Sequence, residues 1–468
     1  MSRKTFLLLA VVTALLGGCT LAPEYTRPAS PVPADWPAGA AYKETKAAAP
    51  APAASELPWR EFITDERLRK VIETSLSNNR DLRLAILNVE KAEALYGVQR
   101  ASLLPSVNAT GSVYRERIPA DLSSSGTDVI SRKNSVTAGV SAWEIDFFGR
   151  LQSLKDEAWE QYLATDQDRR SAQIMLVSAV ANAYFALAAD RENLKLAAAT
   201  LEAQETTYNL VRKRHDVGLV SALTLRQAQS QVEAARGSVA RYTQLVAQDE
   251  NALHLLAGSP LPPGLLPESL TRITPPAEIA SGLSSDPLLK RPDVLAAEHR
   301  LKAAHANIGA ARAAFFPRIS LSTTIGTASA ELSGLFRAGS AAWTFAPQIV
   351  LPIFDARTWS AYEVTKVVRE MAVAQYEKAI QTAFREAADA LVVRGTVEQQ
   401  IEAQEALVEA LAEASRLSNA RYEKGIDSYL GVLDAQRSLY GAQQGLISLR
   451  LARYANLVTL YKVLGGGV

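Results

Sequence analysis

Two stretches far apart in the chain decide its fold: GLVSALTLRQAQSQVE at residues 218–233 and GIDSYLGVLDAQRSLY at residues 425–440. Aligned on their first glycines, they share glycine, serine, leucine and an Ala-Gln pair. Each stretch lies in a long tract without proline, at 150–259 and from 353 to the last residue. Because proline interrupts helices, each tract is predicted to form a very long helix, a turn at Gly218 or Gly425, and a shorter return helix.

The repeat also covers the beginning of each half of the chain. NNRDLRLAILNVEKAEALYGVQRASLLPSV at 78–107 matches KRPDVLAAEHRLKAAHANIGAARAAFFPRI at 290–319, and Pro105 aligns with Pro317. Each half is therefore predicted to begin with a helix that ends before a proline. A repeat of this kind fixes the architecture, because both halves must fold in the same way.

After each of these prolines the spacing of apolar residues changes from helical to alternating, which predicts four strands of about ten residues in two hairpins. The alternating apolar positions are Val107, Ala109, Gly111, Val113, Val136, Ala138, Val140, Ala142, Ile319, Leu321, Ile325, Trp343, Phe345, Ile349 and Leu351. Alternation alone fits either a soluble sheet or a transmembrane barrel, but the small hydroxylated residues between them favour a water-filled lumen. The smallest known barrel has about eight strands, so several chains would have to contribute.

The first residues predict the cellular compartment. Arg3 and Lys4 precede a short apolar run at 6–16, which is typical of a secretory signal. The run ends in Leu-Gly-Gly-Cys and resembles the lipobox of bacterial lipoproteins, in which residues 1–18 are removed and Cys19 carries the lipid, palmitate included. An ordinary signal that happens to contain a cysteine is the alternative. No aspartate follows Cys19, which favours the outer membrane by analogy with that class.

Composition limits the other possibilities. Residues 19–58 are rich in proline and alanine and are predicted to form an extended tether. Lysine plus arginine (50) balance aspartate plus glutamate (49), so nothing indicates nucleic-acid binding. After the signal we expect no apolar stretch of about 18 residues, hence no membrane-spanning helix. The four histidines show no metal-ligand spacing, and neither a phosphate-binding loop nor a nucleophile elbow is present, so we expect no enzyme, no cofactor and no metal site.

Five further stretches carry a family resemblance: AWEIDFFGRLQSL, ANIGAARAAFFPRISL, QYEKAIQTAFREAADAL, LDAQRSLY and YKVLGGG. With the lipobox and the duplicated plan, they are similar to the TolC family of outer-membrane channels, and within it to the OprM-like (NodT-type) lipoproteins of tripartite multidrug efflux pumps. The resemblance covers the chain from Cys19 to its end. It implies a mixed α/β membrane protein, a homotrimer in which twelve antiparallel strands form an outer-membrane β-barrel continuous with twelve helices that form a periplasmic α-barrel.

The predicted domain boundaries follow from the repeat. The first half covers 59–260, with a β-hairpin at about 105–148 and a helical hairpin at about 150–258. A linker or equatorial segment covers 261–288. The second half covers 289–468, with a β-hairpin at about 317–354 and a helical hairpin at about 357–464.

The resemblance also implies partners. Drugs and other toxic small molecules would arrive from an inner-membrane RND transporter through a periplasmic adaptor (membrane fusion) protein and leave through this channel. The adaptor would dock at the helical tips, in grooves that contain Arg214, Gly218, Arg421 and Gly425. Metal-ion efflux, type I protein secretion and a structural lipoprotein without a pore stay open as alternatives.

A gate is expected at the same tips. By resemblance, Leu430 and Asp434 would form a leucine ring and an aspartate ring that restrict the pore, with Arg437 one turn further on. The alternative is that Asp434 and Arg437 form an ordinary i,i+3 pair on a solvated helix.

By resemblance, Tyr422 and Asp427 match positions in the family whose contacts lock the gate. At the first tip, the position that is often acidic in the family holds Thr224, so the lock between the tips is expected to be weaker or to use other partners.

Overall fold

The computed structural model describes residues 20–42, 54, 57–279 and 285–467. The predicted signal and Cys19 therefore lie outside the described residues. The chain divides into two compact units. One contains Asn88–Asp166 and Ala296–Tyr376 with the described residues 20–29, and the other contains the described residues of Ser30–Leu87, Gln167–Leu295 and Glu377–Val468.

Eight α-helices and four strands are found in the described part of the chain. In order they are α1 (Trp59–Phe62), α2 (Glu66–Asn78), α3 (Arg80–Ala101), β1 (Val107–Ile118), β2 (Val129–Ile145), α4 (Arg150–Asp216), α5 (Ala222–Ala257), α6 (Pro292–Ala313), β3 (Arg318–Ser329), β4 (Ala341–Val350), α7 (Ala356–Glu423) and α8 (Tyr429–Val463). Helices α4 and α7 contain 67 and 68 residues. The prediction of four strands and two long helical hairpins is therefore confirmed.

The four strands form one antiparallel sheet in the order β1-β2-β3-β4. Its register collects apolar side chains on one face, because directly opposed residues point the same way. Ala138, Ile325 and Trp343 form one such row across β2, β3 and β4. The other face carries small hydroxylated side chains, and Thr324 there lies opposite Thr344.

A β-bulge corrects one detail of the predicted alternation. The register shifts between Val140 and Trp143, so Trp143 rather than Ala142 continues the apolar row opposite Leu321. Ala142 has a positive φ of 51°, and its N–H donates to the Ser322 hydroxyl at 3.0 Å. An extra residue in one strand breaks the two-residue period, which a count of alternating residues does not detect. Leu351 lies one residue beyond the end of β4.

Within the described residues, one helix is long and apolar enough to cross a membrane, judged by length and composition alone. This helix is α4, so the expectation that no stretch reaches that length was wrong by this measure. Most of its apolar window is buried inside the structure, and Val180, Tyr184 and Leu187 have no exposed surface. A buried core helix passes the same test, so α4 is weak evidence for a helical span.

The segment predicted to be a tether makes specific contacts where it is described. In one unit, Arg27 donates to the Glu298 carboxylate at 2.6 Å and the Tyr25 hydroxyl donates to it at 3.1 Å. Burial by itself would raise the pKa of Glu298, but the hydrogen bond from Arg27 and the charge of Lys302 outweigh it and lower the pKa. In the other unit, Trp36 stacks on Phe384. These contacts hold the segment against the helices.

Candidate functional site at the helical tips

The two predicted turns have the same backbone construction. Gly218 has a φ of +77° and Gly425 a φ of +72°, values that favour glycine. In the first turn, Gly218 N–H donates to His215 and Leu219 N–H to Arg214, both at 2.8 Å. Gly425 and Ile426 donate to Tyr422 and Arg421 in the same pattern, both at 3.0 Å. Each long helix thus ends in a Schellman motif, which satisfies its last carbonyl groups.

A buried apolar cluster joins the two tips. Its fully buried members are Val211 of α4, Ala228 of α5, and Tyr429, Val432 and Leu433 of α8. Tyr208, Val220, Leu225 and Tyr422 pack around them. The second tip is therefore packed against the first by the side of α8 that carries Tyr429 and Leu433, four residues apart.

An adjacent, exposed face of α8 carries the predicted gate residues. Leu430 is 54% exposed, and both Asp434 and Arg437 are exposed. The spacing of four and three residues places all three side chains on one face of the helix. This face therefore presents an exposed leucine, an acid and a base, and is available to line a passage. Its role as a gate stays a prediction.

The i,i+3 alternative is present in the single chain but is weak. An Arg437 guanidinium nitrogen lies 4.0 Å from the Asp434 carboxylate, at the limit of an ion pair. Exposed pairs of this kind contribute about 0–1 kcal/mol. Such a pair leaves the Asp434 charge accessible to ions.

The predicted lock residues have other partners in the chain. Asp427 pairs with Arg421 of its own turn, with one bond of 3.1 Å. The Arg421 hydrogen bond lowers the pKa of Asp427. Tyr422 packs on Tyr429, with ring centroids 5.2 Å apart, and its hydroxyl is buried without a hydrogen-bond partner among the described residues. No hydrogen bond joins Tyr422 to Asp427 in the described residues, and the role of both in locking a gate stays a prediction.

Thr224 lies in the first turn of α5 and hydrogen-bonds the residue that caps this helix. The Ser221 hydroxyl caps this helix by accepting from the Thr224 N–H at 3.2 Å, and the two hydroxyls are also 3.2 Å apart. Ser428, at the same place before α8, makes no such side-chain cap. Thr224 thus forms its hydrogen bonds within the first tip, and none from it to the second tip is found in the described residues.

The predicted adaptor-docking residues divide into two kinds. Gly218, Gly425 and Arg421 are exposed at the turns. Arg214 is half-buried, and its guanidinium lies 5.6 Å from the centre of the Tyr422 ring. Arg214 therefore connects α4 to α7 through a cation–π contact in addition to any role in docking.

Sequence reasoning missed the polar contacts between the hairpins. Buried Gln204 of α4 donates to Gln436 of α8 at 3.0 Å, and Gln444 of α8 donates to Tyr242 of α5 at 2.7 Å. It also missed Tyr429, where burial raises the pKa of the hydroxyl to about 12, with a smaller contribution from Tyr422. The apolar spacing of Tyr429, Val432 and Leu433 was a usable signal for the cluster.

Comparisons with known proteins identify the family of this chain. The model of the family described as outer membrane efflux protein matches residues 71–259 and 283–466. The chain is 49% identical over 465 residues to two Pseudomonas putida proteins, a toluene efflux pump outer membrane protein, TtgC, and an antibiotic efflux pump outer membrane protein, ArpC. Each alignment covers 99% of this chain and 96% of the relative.

A solved structure shows the same fold. The crystal structure of the open state of the Neisseria gonorrhoeae MtrE outer membrane channel superposes with a TM-score of 0.85 and 36% sequence identity. The match covers 96% of this chain and 98% of the other. With the family match, this confirms the predicted resemblance. The chain belongs to the outer membrane efflux protein family and is an outer-membrane efflux channel protein that extends into the periplasm, not an enzyme.

Proposed function

We propose that three copies of this chain form the exit channel of a tripartite efflux pump for toxic small molecules. The observation that carries the proposal is the open four-stranded sheet. In the described residues, β1 and β4 each have one edge without a neighbouring strand. Unpaired strand edges in a membrane are costly, and closure into a barrel removes them. Three copies would supply twelve strands, enough for a barrel.

The two faces of the sheet support a membrane barrel. Trp343 is 78% exposed and Ile325 is 72% exposed in the single chain, on the apolar face. A lipid environment would cover these side chains, while the hydroxylated face would line a wet lumen. A water-filled lumen allows the passage of ions and small molecules.

The cargo is inferred from the relatives. TtgC and ArpC are described as parts of a toluene pump and an antibiotic pump, respectively, so we infer apolar toxic compounds and drugs as cargo. The inferred partners are an inner-membrane RND transporter and a periplasmic adaptor that docks near Gly218 and Gly425. Lipidation of Cys19 would add an anchor in the outer membrane.

The proposed gate is the exposed face of α8. In a trimer, three copies of Leu430 would form an apolar constriction, and three copies of Asp434 would attract cations and repel anions. The apolar cluster around Tyr429 supports this arrangement, because it fixes the orientation of α8 and leaves Leu430 and Asp434 uncovered.

Accumulation of a fluorescent pump substrate in cells tests the proposed function. Cells that lack the gene should accumulate more substrate, and a plasmid copy of the wild-type gene should reverse the increase. Drug susceptibility measured in the same strains would define the range of cargo. Unchanged accumulation in the deletion strain, together with a purified protein that conducts no ions, would contradict the proposal.

A further inference from the structure

The Ala-Gln pair that both repeats share makes a specific contact in the second hairpin. There it is Ala435 and Gln436 of α8, and the side-chain nitrogen of Gln204 donates to Gln436 Oε1 at 3.0 Å. Gln204 is 7% exposed and Gln436 is half-buried. Gln436 follows Asp434 closely on the same helix. The bond therefore connects the helix that carries the proposed gate to α4 of the first hairpin.

Gln436 belongs to a face of α8 that contacts the first hairpin along several turns. Spacings of four and three residues place its members on one side of the helix: Tyr429, Leu433, Gln436, Tyr440 and Gln444. The first two pack in the apolar cluster of the tips. The Gln444 side chain donates to the Tyr242 hydroxyl of α5 at 2.7 Å. This face is therefore apolar near the turn and polar farther along α8.

The apolar and polar parts of this face restrain α8 in different ways. Apolar packing is non-directional and tolerates rotation of a helix. A hydrogen bond requires a short distance and an aligned donor, so it fixes orientation more narrowly. The Gln204–Gln436 bond therefore sets the rotation of α8. Because Leu430 and Asp434 belong to the same helix, their orientation depends on this bond.

The polar part is also incompletely satisfied. Gln204 Oε1 and the Tyr440 hydroxyl are buried, and neither has a hydrogen-bond partner among the described residues. Buried polar groups without a partner lower stability. Movement of α8 away from α4 would expose these groups to water, which can bond them. The contact is therefore suited to breaking and re-forming.

The equivalent glutamine of the first repeat makes a different contact. Gln229 accepts from Arg226 of its own helix at 2.7 Å. The shift that superposes Gly218 on Gly425 places Leu411 of α7 at the position of Gln204. Leucine has no side-chain hydrogen-bonding group, so the duplicated fold does not require a glutamine pair here. Gln229 is therefore a matched control for Gln436.

We propose that Gln204 and Gln436 are positioning residues that latch α8 in its resting orientation and so keep the gate closed. The latch rests on the proposed gate at Leu430 and Asp434. Gln204 is buried, so it acts through the position of α8 rather than on the cargo. Loss of one partner leaves the other polar group unpaired, which favours states in which α8 has moved and water reaches that group.

Single-channel conductance of the purified full-length channel tests the latch. Gln204→Met and Gln436→Met each remove the bond and keep a side chain of similar length. Each should raise the resting conductance severalfold. The double variant should return toward the wild-type conductance, because neither side chain is then left unpaired. Gln229→Met should conduct like wild type.

Ion selectivity separates the latch from the gate. The glutamine variants retain Asp434 and should keep the preference for cations, whereas Leu430→Ala with Asp434→Ala should weaken it. Wild-type conductance in both single variants, an equal rise in Gln229→Met, or a double variant as conductive as the single ones would overturn the latch. If the Leu430 and Asp434 double variant alone raised conductance, the gate would stand without the latch. A wild-type protein that conducts no ions would overturn both.

Discussion

The two helical hairpins share a backbone plan and differ in what their side chains place at equivalent positions. Both turns end in a Schellman motif at a glycine with positive φ. At the tips, Leu430, Asp434 and Arg437 of the second hairpin correspond to Leu223, Gln227 and Ser230 of the first. The leucine is exposed in both hairpins, but the charges occur only in the second.

The interiors of the hairpins also differ, but there the acid belongs to the first hairpin. The first has half-buried Asp190 at the position where the second has Val397 in an apolar cluster. The duplicated fold therefore fixes the turns and the helix lengths, and the residues between the two helices of each hairpin are free to differ. On the proposed account the second hairpin carries the charged gate, and the first carries a half-buried acid, Asp190, at a position where the second is apolar.

The largest effect is expected from moving the acid into the second hairpin. Val397→Asp would bury a charge beside Ile401 and Leu446 without a partner, at a cost of roughly 3 to 5 kcal/mol. Thermal unfolding of the purified protein measures this loss. The reciprocal change Asp190→Val should be tolerated, because burial disfavours the Asp190 carboxylate and valine removes that cost. Equal destabilisation by both variants would show that the interiors of the two hairpins do not differ as described.

The next effect concerns the cluster that orients the second tip. Tyr429→Ala should loosen the start of α8 by about 3 kcal/mol, because a large buried side chain is lost. Tyr429→Phe should have almost no effect, since the buried hydroxyl has no partner in the described residues. Hydrogen exchange of the α8 amides measures both. Strong destabilisation by Tyr429→Phe would reveal a bond to the hydroxyl that the single chain does not contain.

A smaller difference is expected between the two helix caps. Ser221→Ala removes a capping bond and should cost about 1 kcal/mol at the start of α5. Ser428→Ala should cost much less, because Ser428 makes no side-chain cap. Amide exchange in the first turns of α5 and α8 compares the two sites directly. Equal losses would mean that the tips are more alike than their contacts indicate.

The smallest effect concerns the exposed pair of Asp427 and Arg421. Pairing with Arg421 lowers the pKa of Asp427. The pair therefore stabilises the turn at pH values above the usual Asp pKa of 3.8, and this stabilisation is lost as the pH falls through the lowered pKa. Exchange of the Ile426 amide, whose N–H bonds to Arg421 O, should differ between wild type and Asp427→Asn at neutral pH. The difference should disappear at strongly acidic pH. A constant difference would contradict this role for the pair.

The sequence predicted the features that depend on local backbone chemistry. Glycine at 218 and 425, proline at 105 and 317, and the period of apolar residues were sufficient for the turns, the helix ends and the four strands. The bulge at Ala142 was missed because strand register is set by the neighbouring strand rather than by the strand's own sequence.

Contacts between distant helices were also beyond the sequence. The cation–π contact of Arg214 with Tyr422 and the Gln204–Gln436 bond join residues that are far apart in the chain. Helical spacing predicts which face of one helix is apolar, but it does not predict which neighbouring helix covers that face. The same reason explains why the Arg191–Glu250 ion pair was not predicted.

Single-channel conductance in a planar bilayer tests the central claim most directly. If the second tip carries the gate, Leu430→Ala with Asp434→Ala should raise the resting conductance severalfold and weaken the preference for cations. The matched variant of the first tip, Leu223→Ala with Gln227→Ala, should conduct like wild type. Unchanged conductance in the first double variant, or an equal rise in both, would contradict the assignment of the gate to α8.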